Sequence, residues 1–285
     1  MSAAAEPSAE PKPARRPQTG PLASARRVGA MVRRYWYLIR GSWPRIAELA
    51  YWPTIQMILW GLISQFFMTH SHWLAEAAGV LIAGVLLWDI LFRGQIGFSI
   101  CFLEELWSRN LGHLFVSPLR PWEMVAALMT MSLIRTALGA GMAAAVAILL
   151  YGFSLFDLGL PLVAFFAALM LMGWGMGMAI VALVLRYGLG AESLAWVALF
   201  AFAPISCVYY PVATLPESIQ WLAWATPSAY VFEGMRSVMV DRIFRWDLLG
   251  GALLLDAVYV AIGAAVFAWA FAAARRDGRL LQTGE

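Results

Sequence analysis

Apolar residues fall along the chain in six long runs, separated by short stretches that hold most of the charge. The runs cover about residues 46–68, 75–98, 122–151, 159–185, 193–212 and 248–273. Each is near the roughly 20 apolar residues that a helix needs to cross a hydrocarbon core of about 30 Å. Residues 22–42, ahead of them, follow a different pattern. Arg26, Arg33 and Arg40 recur every seven residues with Arg27 and Arg34 beside them, while Val28, Val32, Tyr35 and Ile39 follow at i, i+4, i+7 and i+11. This is basic on one side and apolar on another, and it predicts an amphipathic helix lying in the membrane surface. Trp43, Tyr51 and Trp52 then mark the start of the first run with interface-seeking rings. Between runs five and six, residues 213–247 are apolar but broken by Pro216, Pro227 and several charges. Lipid tolerates no exposed irregular backbone, so this stretch is expected to form short helices or a re-entrant segment at one face. Residues 1–21 are rich in Pro, Ala and charge and predict a disordered tail, without the apolar core of a cleavable signal peptide. Residues 276–285 form a C-terminal tail after a transmembrane domain spanning 22–275. The predicted fold class is therefore an all-α integral membrane protein: six transmembrane helices preceded by an amphipathic interfacial helix.

Composition sharpens this picture by exclusion. Hydrophobic residues make up 62% of the 285 and charged residues 13%, and the mean hydropathy is +0.72. A soluble domain has roughly a quarter charged residues, so a soluble enzyme, a disordered chain and a disulfide scaffold all fit poorly. Lys12, between Pro11 and Pro13, is the chain's lysine, and a phosphate-binding P-loop needs a Gly-rich turn ending in Lys and Ser/Thr. If ATP drives this protein, another chain must bind it. The net charge of +3 comes from arginines beside apolar runs, which suits anionic lipid head groups as partners rather than nucleic acid. Cys101 and Cys207 lie in apolar surroundings without metal-type spacing, and His70-Ser71-His72 lacks a third ligand.

Arginine placement gives the orientation. Nine Lys and Arg residues precede residue 46. Arg109 and Arg120 follow span two, which carries Arg93 near its end, Arg186 follows span four, and Arg275, Arg276 and Arg279 end the chain. The loops near 69–74 and 152–158 hold none. Segment 213–247 breaks the pattern with Arg236, Arg242 and Arg245, accompanied by Glu217, Glu233, Asp241 and Asp247. The sum predicts both termini in the cytoplasm.

Several residues inside the spans stand out. Arg135 lies roughly 20 Å from the cytoplasmic start of span three, and Asp256 roughly 12 Å into span six from the outside, at 1.5 Å rise per residue. Their depths nearly match, and an isolated charge in lipid is costly, so an Arg135–Asp256 pair is expected within one chain or across a dimer. Asp89 and Arg93 stand at i, i+4 on span two and suit a local pair. Span four carries Gly173, Gly175 and Gly177, of which Gly173 and Gly177 form a small-xxx-small spacing that allows close helix approach, and Pro204 should bend span five. Trp221, Trp224 and Tyr230 fit an outer aromatic belt.

Two local motifs carry the functional signal. After span two come Glu104, Glu105, Arg109, Gly112 and then Ser117-Pro118-Leu119-Arg120-Pro121-Trp122-Glu123. Glu105 and Arg109 can pair at i, i+4 on a helix, and Pro118 and Pro121 stop one helix and start the next. The second motif, YPVATLPESIQWLAWATPSAYVFEGMR, runs from Tyr210 to Arg236 and contains Tyr210-Pro211, Leu215-Pro216, Trp221-Leu222, Pro227, Tyr230 and Arg236. With the span layout, these motifs resemble the ABC transporter type-2 permease family over about residues 22–275. His113 departs from the family pattern, where many members carry Thr after the Gly.

The resemblance implies the permease subunit of an ATP-binding-cassette exporter of drugs, lipids or polysaccharides in the bacterial inner membrane. It implies a homodimer or heterodimer of such chains with separate ATPase subunits. No cofactor would bind this chain, and ATP and Mg would bind the partner ATPase. It also implies that Glu104, Glu105, Arg109 and Gly112 belong to a coupling element that meets the ATPase, and that Pro211, Pro216, Pro227, Tyr230 and Arg236 shape an outer re-entrant motif. The alternative is an ion-coupled secondary transporter, but no clear repeat between the halves and no relay of acids is visible. An intramembrane enzyme would need a cluster of nucleophile, base or metal ligands that the scattered His and Cys do not form.

Overall fold

The structure, a computed structural model, describes residues 20–70 and 72–277. The predicted tail to residue 19, Ser71, residues 278–285 and the side chains of His70 and His72 lie outside the described residues. The described chain is helical, without a strand: α1 (Pro21–Arg40), α2 (Trp43–His70), α3 (His72–Trp107), α4 (Leu111–Val116), α5 (Pro121–Tyr151), α6 (Leu160–Tyr187), α7 (Leu194–Ile205), α8 (Glu217–Trp224), α9 (Pro227–Arg236) and α10 (Trp246–Arg276). Five of these are long and apolar enough to cross a membrane: α2, α3, α5, α6 and α10.

The fifth predicted span is where expectation and structure part. Residues 193–212 give only the 12-residue helix α7, about 18 Å long at 1.5 Å per residue, against a core of about 30 Å. Pro204 does not bend a long helix; it sits at the end of a short one. Two local features stop the helix there. The Ser206 hydroxyl donates to the Ala203 carbonyl at 2.8 Å, and Cys207 takes a left-handed backbone, φ 55. The chain then turns into α8 and α9, so residues 213–247 are indeed short helices. Predicted span two errs the other way. α3 is 36 residues long and continues nine residues past the expected end, so Glu104 and Glu105 sit on its last helical turns and not in a loop.

α6 is the inner helix. In its most apolar window 78% of residues are buried, against 22% for α2 and for α10. It lies between α3 and α10, and its glycines explain how. A Cβ on Gly173 would stand 2.9 Å from the Gln95 backbone nitrogen of α3, and one on Gly177 would meet the Phe98 ring at 2.9 Å. On the other side, Gly175 faces α10, where a Cβ on Gly263 would come within 2.4 Å of the Gly175 carbonyl oxygen. Without side chains at these points the backbones approach closely, which is how helices gain van der Waals contact where lipid removes the hydrophobic drive. The two predicted small-residue positions thus serve packing within the chain, and Gly175 between them serves a second seam.

The closeness of that second seam sets the first test. Gly263→Ala should cost about 1–3 kcal/mol by overpacking, read as a lower melting temperature of the purified protein in detergent. Gly141→Ala, where a Cβ meets nothing within 4 Å, should leave it unchanged. Equal melting of both variants would contradict the α6–α10 contact.

Candidate functional site

One side of α1 is turned to the protein. Ala23, Ser24, Met31, Tyr35 and Ile39 are buried, with Val28 and Val32 packed beside them against residues of α3, α4 and α5. Its arginines divide into two sets. Arg26, Arg33 and Arg40 are exposed. Arg27 and Arg34, one heptad apart on the neighbouring face, each grip a buried carboxylate with two hydrogen bonds. Arg27 donates from Nε and Nη2 to Glu123 at 2.8 and 2.6 Å, and Arg34 donates from both Nη atoms to Glu105 at 2.5 and 2.9 Å. Glu123 is 0% exposed and Glu105 1%. Such two-pronged Arg–carboxylate contacts fix geometry as well as charge.

Both acids have further duties at helix ends. Glu123 accepts the Arg120 backbone N–H at 2.9 Å, which caps the start of α5 behind Pro121. Glu105 accepts the Asn110 amide at 2.8 Å, which closes the turn between α3 and α4. The Tyr35 hydroxyl is buried alongside; burial first, then the charge of Glu105, hold it protonated well above the usual tyrosine range. α1, the end of α3, α4 and the start of α5 therefore form one cluster.

Within that cluster the predicted coupling residues separate. Glu105 turns to α1, while Glu104 turns inward, 3.4 Å from Arg45 and 3.9 Å from Arg135. The expected Glu105–Arg109 contact is not formed. α3 ends at Trp107 and Arg109 is exposed in a left-handed turn, φ 55, while Glu105 is held by Arg34 and Asn110. Gly112 lies in the short helix α4 itself. Leu111 and Leu114 anchor α4 in the core beneath it, and His113 and Val116 face outward, Val116 being 89% exposed. The residues that sequence reasoning missed are Arg27, Arg34, Arg45 and Glu123. Their signal was present: the heptad spacing of Arg27 and Arg34 matches two acids that would otherwise be buried alone.

Two intramembrane charge pairs are expected from the sequence, Asp89–Arg93 by its i, i+4 spacing and Arg135–Asp256 by depth. Asp89 and Arg93 do meet, at 2.6 Å. Arg135 and Asp256 do not meet within the chain. Arg135 lies between α3 and α5, near Glu104 and 3.6 Å from the Cys101 sulfur. Asp256 is buried on α10, and among the described residues nothing donates to either carboxylate oxygen.

At the opposite end, the second motif folds into a tied hairpin of short helices. Pro211 precedes a single 3-10 turn, Pro216 precedes α8, and Pro227 opens α9 behind a Thr226 cap. Glu233 accepts the Val212 N–H at 2.6 Å. Arg236 pairs with Glu233 at 3.1 Å and donates to the Cys207 carbonyl at 3.0 Å. Tyr230 packs edge-on to Trp224, ring centroids 4.9 Å apart, and against α10, where a Cβ on Gly251 would meet its ring at 2.5 Å. The Pro and Tyr positions of the motif thus start helices and pack them, and Arg236 ties α9 back to the end of α7.

The described residues thus form a bundle of membrane-length apolar helices, with the short helix α4 seated at one end and a tied hairpin at the other. The sequence profile described as ABC-2 type transporter matches residues 27–240, well over half of the chain. The chain belongs to that family: it is a multi-pass membrane permease of an ABC transporter, and the family works with separate ATPase subunits. Among curated proteins none matches the chain.

The α1 clamp is testable by a double-mutant cycle. Arg34→Ala and Glu105→Gln should each destabilise the protein by about 1–3 kcal/mol, the range for hydrogen bonds to charged groups and for orphaned buried partners. The double variant should cost clearly less than the sum. Strict additivity in thermal unfolding would mean that the two side chains do not act on each other.

Proposed function

We propose that the chain is the permease of an ATP-driven exporter, acting as a homodimer in the bacterial inner membrane with both termini in the cytoplasm. In this reading substrate passes between two permease chains, while partner ATPases bind ATP and Mg; the permease holds no cofactor. The observation that carries the reading is the clamped short helix. α4 has a buried face, Leu111 and Leu114, and an outward face, His113 and Val116. The ion pairs of Glu105 and Glu123 tie α1 to the end of α3 and the start of α5 on either side of it. A push on that outward face would reach α3 and α5 without being absorbed by a soft loop. Glu104, Glu105 and Gly112 then position the coupling element, and exposed Arg109 is free to meet the ATPase. The exposed arginines of α1 suit the anionic head groups of the cytoplasmic leaflet.

Asp256 favours one second reading. A buried carboxylate without a hydrogen-bond donor on a spanning helix is a feature of ion-coupled carriers, and no chain of further acids leads to it among the described residues.

Purification of the tagged chain from native membranes in mild detergent separates the two. The exporter reading expects a stoichiometric P-loop ATPase to co-purify, and Val116→Asp on the outward face of α4 to cut that recovery about tenfold or more, the loss typical of a charge placed in an apolar contact. The variant chain itself should still purify folded. A permease that purifies alone and moves solute on an ion gradient would overturn the reading.

A further inference from the structure

Glu105, Glu123 and Asp89 are each met by an arginine. Asp256 is not. It is 0% exposed, and among the described residues neither of its oxygens has a hydrogen-bond donor. It shares one face of α10 with Ala252, Gly263 and Phe267, all buried and at helical spacing. That face is the one closed against α6. A Cβ on Gly175 would stand 2.9 Å from the Tyr259 carbonyl carbon and 3.1 Å from the Val260 nitrogen, and Gly263 presses on the Gly175 carbonyl. Asp256 therefore stands in the α6–α10 seam, about one helical turn from that contact. No charge answers it from the elements packed around it. α6 has no acid, base or histidine before Arg186 and Tyr187, which stand at its far end, roughly 20 Å along. α9 brings Tyr230, packed over Gly251, and Glu233 and Arg236, which are bonded to each other and to the chain beyond α7. α8 meets α10 where the Tyr259 hydroxyl donates to the Ala225 carbonyl at 3.3 Å, and its acid, Glu217, lies at its other end. On α10 itself Asp247 is held by Arg245, and Arg275 and Arg276 lie in the last turn. A side chain with no exposed surface in the single chain is also closed to a second copy.

From this placement we propose that Asp256 is a proton-binding site: the α6–α10 seam closes on its neutral carboxylic acid, and parting of the seam to water releases the proton. An ionised carboxylate without a donor or a counter-charge is not tolerated in an apolar interior, and the group takes up a proton instead. The proton then acts as a lock. While it is bound, α6 and α10 can meet backbone to backbone at Gly175 and Gly263. A charge at Asp256 favours an arrangement in which water stands between the two helices. Among the described residues no second acid continues from it, so the site takes and gives one proton and does not relay it. The proposal goes beyond the exporter reading and does not depend on it, because it concerns the protonation state on which the bundle closes.

The test is infrared difference spectroscopy of the full-length permease in mild detergent, wild type minus Asp256→Asn, at about pH 7. A neutral carboxylic acid has a carbonyl stretch well separated from the bands of an ionised carboxylate. The wild type is expected to show that neutral-acid band, shifted in heavy water, and the Asn variant to lack it. Gly263→Ala, which forces the two backbones apart, should convert part of the band to the ionised form at the same pH. Unfolding gives a second readout. The folded chain keeps a proton that the unfolded chain has already released, so the wild type should lose stability as pH rises from about 5 to about 7, by about tenfold in the unfolding equilibrium per pH unit relative to Asp256→Asn. Asp256→Leu, similar in size and without a polar atom, should show the same flat profile as Asn and covers the case in which Asn does not fold. A difference spectrum with ionised carboxylate bands alone, an unchanged neutral band in folded Gly263→Ala, or parallel pH profiles for the wild type and both Asp256 variants would each overturn the proposal. Neither readout uses ATP, ATPase or substrate. Failure here therefore leaves the exporter reading standing, and failure of the ATPase to co-purify leaves this result standing.

Discussion

Two carboxylates buried at helix ends set the terms for one whole side of the molecule. Glu105 and Glu123 are withdrawn from solvent, and a buried charge left alone would cost several kcal/mol. Each is made tenable by an arginine of α1 that meets it with two hydrogen bonds. The dependence runs both ways. α1 is too polar to stay on the bundle through Met31, Tyr35 and Ile39 alone, and the acids at the end of α3 and the start of α5 could not be buried without α1. Because Glu105 also closes the α3–α4 turn and Glu123 also caps α5, these same contacts fix where α4 sits.

The rest of the bundle is held by shape and not by charge. α6 contributes no acid or base until Arg186, at its end. Its contacts with α3 and α10 come from missing side chains at Gly173, Gly175 and Gly177, which set backbone against backbone. The two modes largely occupy different regions: small-residue seams run through the inner helix, and most ion pairs collect near helix ends, apart from Asp89–Arg93 within α3 and the Arg135 partner within α5. That division follows from lipid as a solvent. Dispersion contacts lose nothing in an apolar medium, whereas charges are tolerated where partners or interface water can complete them.

Most of this was legible in the sequence because bilayer thickness imposes a length on apolar runs. α5, α6 and α10 begin and end within three residues of the predicted limits. The misses have physical reasons. α3 runs on through Glu104 and Glu105 because partners distant in sequence, Arg34, Arg45 and Arg135, neutralise them; a hydropathy window sees the charge and not its partner. α7 stops early because Ser206 and Cys207 divert the backbone at a point where apolar character continues unbroken. Asp89–Arg93 was readable because both residues share one helix, so that spacing alone decides whether they meet.

Arg135 and Asp256 show what spacing cannot decide. Counting residues along a span gives depth, and the depths of these two nearly agree. Pairing also needs azimuth, the direction a side chain takes around its helix, and that is set by which helices are neighbours. α5 packs against α1, α2 and α3, whereas α10 packs against α6 and α9. α3 and α6 thus stand between the two residues, and Arg135 turns to α3 while Asp256 is buried on the side of α10 that holds Leu248, Ala252 and Gly263. The consequence is mechanical as well as electrostatic. Glu104 lies between Arg45 at the start of α2 and Arg135 of α5, and its neighbour Glu105 is held by Arg34 of α1. A line of charge contacts therefore joins α1, α2, α3 and α5, and a displacement of the end of α3 must draw on all four. α10, tied to α6 by glycine and to α9 by Tyr230, lies outside that line, so the structure divides into a part linked by charge and a part linked by close packing, with the α3–α6 contact as the joint between them.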